Sequence, residues 1–162
     1  LETPVPKYKR LYPGGPECRL KGAYLITCTG CEKDENGNIT AITATYDPES
    51  RGGNPADGRK VKGATIHWVD AATAVDGEVR LYDNLFSDAT PDAADKECMN
   101  PNSLEVLKGC KLEASLASAK PSERFQFLRL GYFCADSRDS GEGHLVFNRA
   151  VTLKDSFGKG NK

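Results

Sequence analysis

The dipeptide Asn36-Gly37 constrains this chain more than any other pair of neighbours. Both residues tolerate positive φ, so between two β-branched runs they signal a hairpin. Such runs flank them: residues 18–31 on one side and 39–46 (ITAITATY) on the other. Read as one strand, residues 18–31 put Leu20, Tyr24 and Ile26 on one side and Arg19, Lys21 and Leu25 on the other. The same period of two returns farther along. Residues 63–69 (GATIHWV) are apolar and β-branched around His67, and residues 78–86 (EVRLYDNLF) alternate Val79 and Leu81 against Arg80 and Tyr82. Residues 124–130 set Phe125 and Phe127 against Gln126 and Leu128, while 104–107 and 145–153 are further strand candidates. Residues 92–98 fit a short helix, and 111–120 leave helix and strand both open. Many short strands between Gly, Pro and Asn signals predict an all-β barrel or sandwich.

The connections carry their own signals. Pro13-Gly14-Gly15-Pro16 forces a turn. Residues 47–58 (DPESRGGNPADG) form a long Gly- and Pro-rich loop, the strongest candidate for a mobile segment. A length of 162 residues allows one domain or two small ones. With 38% apolar and 28% charged residues the composition is that of a water-soluble domain, and no run approaches the ~20 apolar residues of a membrane span. No tripartite secretory signal opens the chain. A first residue of Leu1 instead of Met suggests a fragment.

A formal charge of −1 argues against a globally basic nucleic-acid binder, but the charge is unevenly spread. Residues 1–22 carry Lys7, Lys9, Arg10, Arg19 and Lys21 against Glu2 and Glu17. Residues 149–162 carry Arg149, Lys154, Lys159 and Lys162 against Asp155, and residues 76–97 are acidic. Such polarity suits a protein that presents one face to a polyanion. Two solvated chain ends would look the same. Among the six cysteines, Cys28 and Cys31 form a CxxC. A structural zinc site usually pairs two such knuckles. Here no second one follows, and His67 and His144 stand apart, so free, mostly buried thiols in a reducing cytosol are expected.

No Gly-rich phosphate loop, nucleophile elbow or Rossmann-type βαβ pattern is present, and the carboxylates are scattered. No catalytic residue is therefore assigned. Single-stranded RNA recognition is a different matter. It requires cations for phosphate, planar groups to stack on and forked donors and acceptors for base edges. Residues 7–10 (KYKR) supply two lysines, a tyrosine and an arginine. Arg19 and Lys21 project from one face of a strand. Gln126 lies between two phenylalanines with an amide that both donates and accepts. Arg129 lies three residues on, across the strand. Each group has a plainer reading: an edge strand guarded by lysine, the wet face of an amphipathic strand, an amide that satisfies a neighbouring backbone group.

Four segments in fixed order, KVKGATIHWV, EVRLYDNLF, FQFLRLGYFCADS and VFNRAVTLKDSF, resemble the C-terminal anticodon-binding β-barrel region of the glutaminyl-tRNA synthetases. The resemblance runs from about Lys7 to Phe157. It implies an antiparallel β-barrel region over residues 1–157, with one complete (distal) barrel from the middle, strands of a second (proximal) barrel from the two ends, and a tail at 158–162. It further implies that the unstacked bases of the tRNA(Gln) anticodon enter separate pockets between the barrels. By resemblance Lys9 and Arg10 read the third base, a G. Arg19 holds the first base, with Lys21 beside it, and Gln126 reads the middle base, a U, with Arg129 nearby. Leu128 stands where the family has an acidic residue, and the turn at residues 12–18 is one residue longer than the family's.

The parent enzyme would be a monomeric, cytoplasmic class I ligase using ATP and Mg. Its catalytic domain would lie N-terminal in the same chain, since the HIGH-type and KMSKS-type signatures are absent here. This fragment itself would need no cofactor or metal. Three alternatives stand beside this: the barrel of a eukaryotic or archaeal-type glutamyl-tRNA synthetase, a β-barrel protein-interaction module without an RNA role, and a secreted disulfide-bonded domain with Asn38-Ile39-Thr40 as a glycosylation sequon.

Overall fold

In a computed structural model of the protein, which describes residues 7–88 and 98–153, the chain is built from strands and short 3-10 turns. It divides into two units, Leu1–Trp68 and Val69–Lys162, each with its own sheet.

The first sheet contains β1 (Cys18–Leu20), β2 (Leu25–Lys33), β3 (Ile39–Asp47) and β4 (Thr65–Ile66), in the order β3-β2-β1-β4. The β2–β3 hairpin turns at Asn36-Gly37 as the sequence predicts. The Asp34 carboxylate accepts from the Asn36 and Asn38 backbone N–H groups at 3.0 and 2.7 Å and from the Asn38 amide at 3.0 Å, an Asx-type turn. These donors, the Asn38 amide foremost, hold the Asp34 carboxyl below its ordinary range. Residues 18–31 are not one strand. A turn at residues 21–24, closed by the Leu20 N–H on the Tyr24 carbonyl at 2.9 Å, resets the alternation. Leu25, assigned by the simple period to the wet face with Arg19, is instead fully buried. The run at 63–69 likewise shortens to the two residues of β4, which pair parallel with β1.

The second sheet contains β5 (Val75–Tyr82), β6 (Leu104–Leu112), β7 (Arg124–Phe127), β8 (Gly131–Ala135) and β9 (Leu145–Val151), in the order β6-β5-β9-β8-β7. Only β5 and β9 pair in parallel. Its core joins Val79, Leu112, Leu116, Phe133, Ala135, Leu145 and Phe147. The ambiguous run at 111–120 resolves into the end of β6 and a 3-10 helix, Ala114–Ser118, which lays Leu116 on that core. The Phe127 and Phe133 rings stack at 4.3 Å, and Phe125 meets Phe147 edge-on at 5.8 Å. Residues 92–97 of the expected short helix, and the tail at 158–162, lie outside the described residues.

The all-β class is as expected. The barrel is matched only roughly: the two sheets are mixed, and neither closes among the described residues. They also divide the chain by halves. Strand β9 pairs with β5 and β8 within the second sheet. The connection at 47–58 is not loose either. A 3-10 helix, Pro48–Ser50, buries Ser50 completely; its hydroxyl accepts from Leu25 N–H at 2.9 Å and donates to the Asp47 carbonyl at 2.6 Å. Of the six thiols, Cys18 and Cys28 are buried and the other four half-buried, fewer than expected. Among the described residues no helix is long and apolar enough to cross a membrane.

Candidate nucleic-acid interface

In the first unit the candidate cations gather around β1. Arg19 sits on it, between β2 and β4, and Lys21 follows at the turn. Lys9 comes from the preceding segment. Its carbonyl accepts from the Ala64 N–H at 2.7 Å and from the Cys18 thiol at 3.3 Å, which tethers residues 8–10 beside the start of β1. Gly63 makes this approach possible, because a Cβ there would strike the Glu17 carbonyl and the Cys18 sulfur. Burial pushes the Cys18 thiol up, so it stays protonated and able to donate. Tyr8 and Tyr12 bracket Lys9 and Arg10, their rings 6.0 Å apart. The segment forms no named strand, so the lysine-guarded edge strand is not what residues 7–10 build.

Two arginines of this unit differ in what they face. Arg59 donates to Glu17 through two nitrogens at 3.1 and 2.7 Å, to Asp47 at 2.6 Å and to Asp57 at 2.9 Å. These carboxylates, Glu17 foremost, raise its pKa, and Arg59 in turn lowers those of Asp47 and Asp57. Its charge is compensated, and it serves as a clamp across both ends of the 47–58 loop. Arg19 instead meets neutral acceptors. Its Nε donates to the Gly53 carbonyl and its Nη1 reaches the Thr65 hydroxyl at 3.5 Å. Gly53 has φ +87°, and a Cβ there would come within 3.0 Å of the Arg19 stem, so this close approach suits glycine alone. Gly53 is itself held by its N–H on the Ser50 carbonyl at 2.8 Å. The loop thus fixes the direction of Arg19 without neutralising it.

Lys9, Arg10 and Lys21 are exposed and form no ion pair among the described residues. Trp68, nearly half exposed, is pinned by its indole N–H on the Lys21 carbonyl at 3.1 Å. An uncompensated guanidinium, three exposed cations and fixed planar rings are the groups that phosphate and base contacts require.

In the second unit Gln126 occupies the edge strand β7, exposed, while Phe125 and Phe127 turn inward onto the core. That facing is the one the alternation predicts. Arg129 is placed differently from expectation. Strand β7 ends at Phe127, Leu128 and Arg129 belong to the turn into β8, and Arg129 adopts φ +69°. Directly opposite Gln126 on β8 stands Tyr132.

A second polar cluster braces the loop after β8 and offers no open charge. Arg80 donates to Glu78 at 2.7 Å and Asp139 at 2.6 Å, and these carboxylates raise its pKa. The Asp136 carboxylate accepts from Asp139 N–H, the Asn148 amide and Arg138 N–H at 2.8, 2.6 and 2.8 Å, and these bonds pull its pKa down to about 2. Tyr82 donates to the Asn148 amide oxygen at 3.0 Å. Sequence reasoning set Arg80 and Tyr82 on one face of their strand, opposite Val79 and Leu81, but could not pair them. It also missed Ser50, Gly53 and Arg59. The Asp47-Pro48 start of a capped turn was the available signal for Ser50.

Comparison with known proteins agrees with both halves. Residues 6–47 and 65–136 each match a family model described as tRNA synthetases class I (E and Q), anti-codon binding domain. The chain is 53% identical over 163 residues to the glutamine–tRNA ligase of Stutzerimonas stutzeri, covering 98% of this chain and 29% of that protein. It is 55% identical over 162 residues to that of Ralstonia pickettii, covering 98% and 28%. It is 52% identical over 162 residues to that of Pseudomonas syringae pv. tomato, covering 97% and 28%. The chain therefore spans under a third of the length of these relatives.

Proposed function

The chain belongs to the anticodon-binding domain family of class I tRNA synthetases (E and Q), and on that premise we propose that it is the tRNA-selecting part of a glutamine–tRNA ligase. The parent enzyme would join glutamine to its tRNA at the expense of ATP, with Mg, in a catalytic domain elsewhere in the same polypeptide, working as a monomer in the cytoplasm. The observation that carries this reading is the match of nearly the whole chain, across both units, to relatives named glutamine–tRNA ligase.

The residue roles follow in the same terms. Arg19, aimed by Gly53 and uncompensated, takes the first anticodon base and its phosphate, with Lys21 beside it. Lys9 and Arg10 take the third base, a G, whose O6 and N7 acceptors match forked cationic donors. Gln126 takes the middle uracil through one donor and one acceptor, and Arg129 at the turn supports it.

The test is the salt dependence of tRNA affinity for the intact enzyme. Phosphate contacts release counterions, and each costs a slope of about 0.7 in log affinity against log salt on a single strand. Arg19→Ala and Lys21→Ala should each flatten the slope by about that much. An unchanged slope in both would place them away from the RNA.

A further inference from the structure

An amide such as Gln126 can read a base edge, but it cannot by itself hold the base flat while the edge is read. Strand register answers this. Across β7 and β8, Phe125 faces Phe133 and Gln126 faces Tyr132. The first pair turns inward, where Phe133 is only 4% exposed. The second pair must therefore share the outer face, with Cβ atoms about 4.5–5.5 Å apart as in any directly opposed pair. Tyr132 is 48% exposed there. Its ring meets no other aromatic ring, and its hydroxyl finds no hydrogen-bond partner among the described residues. Tyr82, equally exposed, differs because its hydroxyl is held by Asn148. Arg124, two residues before Gln126, adds a cation to the same outer face.

We propose that Tyr132 is the stacking platform for the base whose edge Gln126 reads. A pyrimidine lying on the phenol ring would turn its Watson–Crick edge toward the neighbouring amide, and Arg124 would meet the adjoining phosphate. The proposal rests on the assignment of Gln126 to the middle anticodon base, and it adds a specificity-supporting residue to that site. Stacking is tolerant of base identity, because every base has a π face. Tyr132 therefore supplies affinity for the middle base and Gln126 supplies the choice among bases.

The experiment measures the Kd of the intact enzyme for three tRNAs: uracil at the middle position, cytosine there, or no base there. Tyr132→Leu should weaken binding to the uracil and cytosine tRNAs alike by on the order of tenfold, and should leave binding to the abasic tRNA unchanged. Tyr132→Phe, which keeps the ring, should bind all three like the wild type. Gln126→Leu should reduce the preference for uracil over cytosine. A Tyr132→Leu loss that persists on the abasic tRNA, no loss at all, or an equal loss in Tyr132→Phe overturns the platform, even where Gln126→Leu abolishes the preference. An unchanged preference in Gln126→Leu overturns the edge assignment alone, and a Tyr132→Leu loss that is equal for uracil and cytosine and absent on the abasic tRNA still supports the platform.

Discussion

The two units hold their candidate RNA-contacting groups by opposite means. In the first, Arg19 is directed by a polar relay that runs from Leu25 N–H to the Ser50 hydroxyl, and from the Ser50 carbonyl through Gly53 to the guanidinium. Among the described residues the buried apolar ones there are few: Cys18, Leu25 and Cys28. In the second, Gln126 is directed by its neighbours' burial, since Phe125 and Phe127 sink into a cluster of rings around Phe147. The difference matches the tasks. On the proposed roles, a cation meant for a flexible phosphate chain is held by hydrogen bonds that leave its charge open, and an amide meant to discriminate one base edge is mounted on a packed strand.

That contrast can be broken from either side, and the largest effect should come from the aromatic core. Phe147 is fully buried. Phe147→Ala should cost about 3–5 kcal/mol. Hydrogen exchange should then accelerate in β5, β8 and β9 while β1 and β2 keep their protection. An equal loss in both units would show that they do not hold their structure separately.

The next effect should come from the relay. Ser50→Ala leaves the buried Leu25 N–H and the Asp47 carbonyl without their partner, at a cost of about 1–3 kcal/mol. Exchange at Leu25 should accelerate, and the flattening of the salt slope expected of Arg19→Ala should appear here in weaker form. Loss of stability with an unchanged slope would mean that Arg19 finds its direction without the loop.

The smallest effect is acid dependence in the second unit. Asp136 is held at about 2, below the ordinary aspartate value of about 3.9. A depressed carboxylate contributes stability that is complete above the unfolded value and lost as pH falls through the folded one. The stability advantage of wild type over Asp136→Asn should therefore be constant above pH ~4 and vanish as pH falls through about 2. Denaturant melts across that range check it, and an advantage that persists below pH ~2 would rule out the carboxylate as its source.

What could be read from the chain alone follows the same division. The Asn36-Gly37 hairpin and the outward facing of Gln126 were legible because both are local: a turn dipeptide, and an alternation flanked by phenylalanines. The turn at residues 21–24 was hidden, since four residues without a strong breaker pair preserve an apparent alternation while reversing Leu25. The end of β7 was hidden for a similar reason, because Arg129 adopts a positive φ without being Gly or Asn. The 47–58 loop looked mobile from its glycines and prolines. Its burial depends on Ser50 meeting Leu25 and on Arg59 meeting Glu17, pairings 25 and 42 residues apart that composition does not encode. Barrel closure is non-local too, and the pattern of short strands fits open mixed sheets equally well. Tyr132 needed the register of β7 against β8, which no period reveals.

The central claim is that one unit reads the third anticodon base and the other the middle base. The most direct test is the charging efficiency of the intact enzyme on tRNAs substituted singly at either position. Arg10→Ala should cost about 1–3 kcal/mol of discrimination at the third base and none at the middle base. Gln126→Leu should cost about 1–3 kcal/mol at the middle base and none at the third. Equal losses at both positions from either variant, or no loss from both, would contradict the assignment.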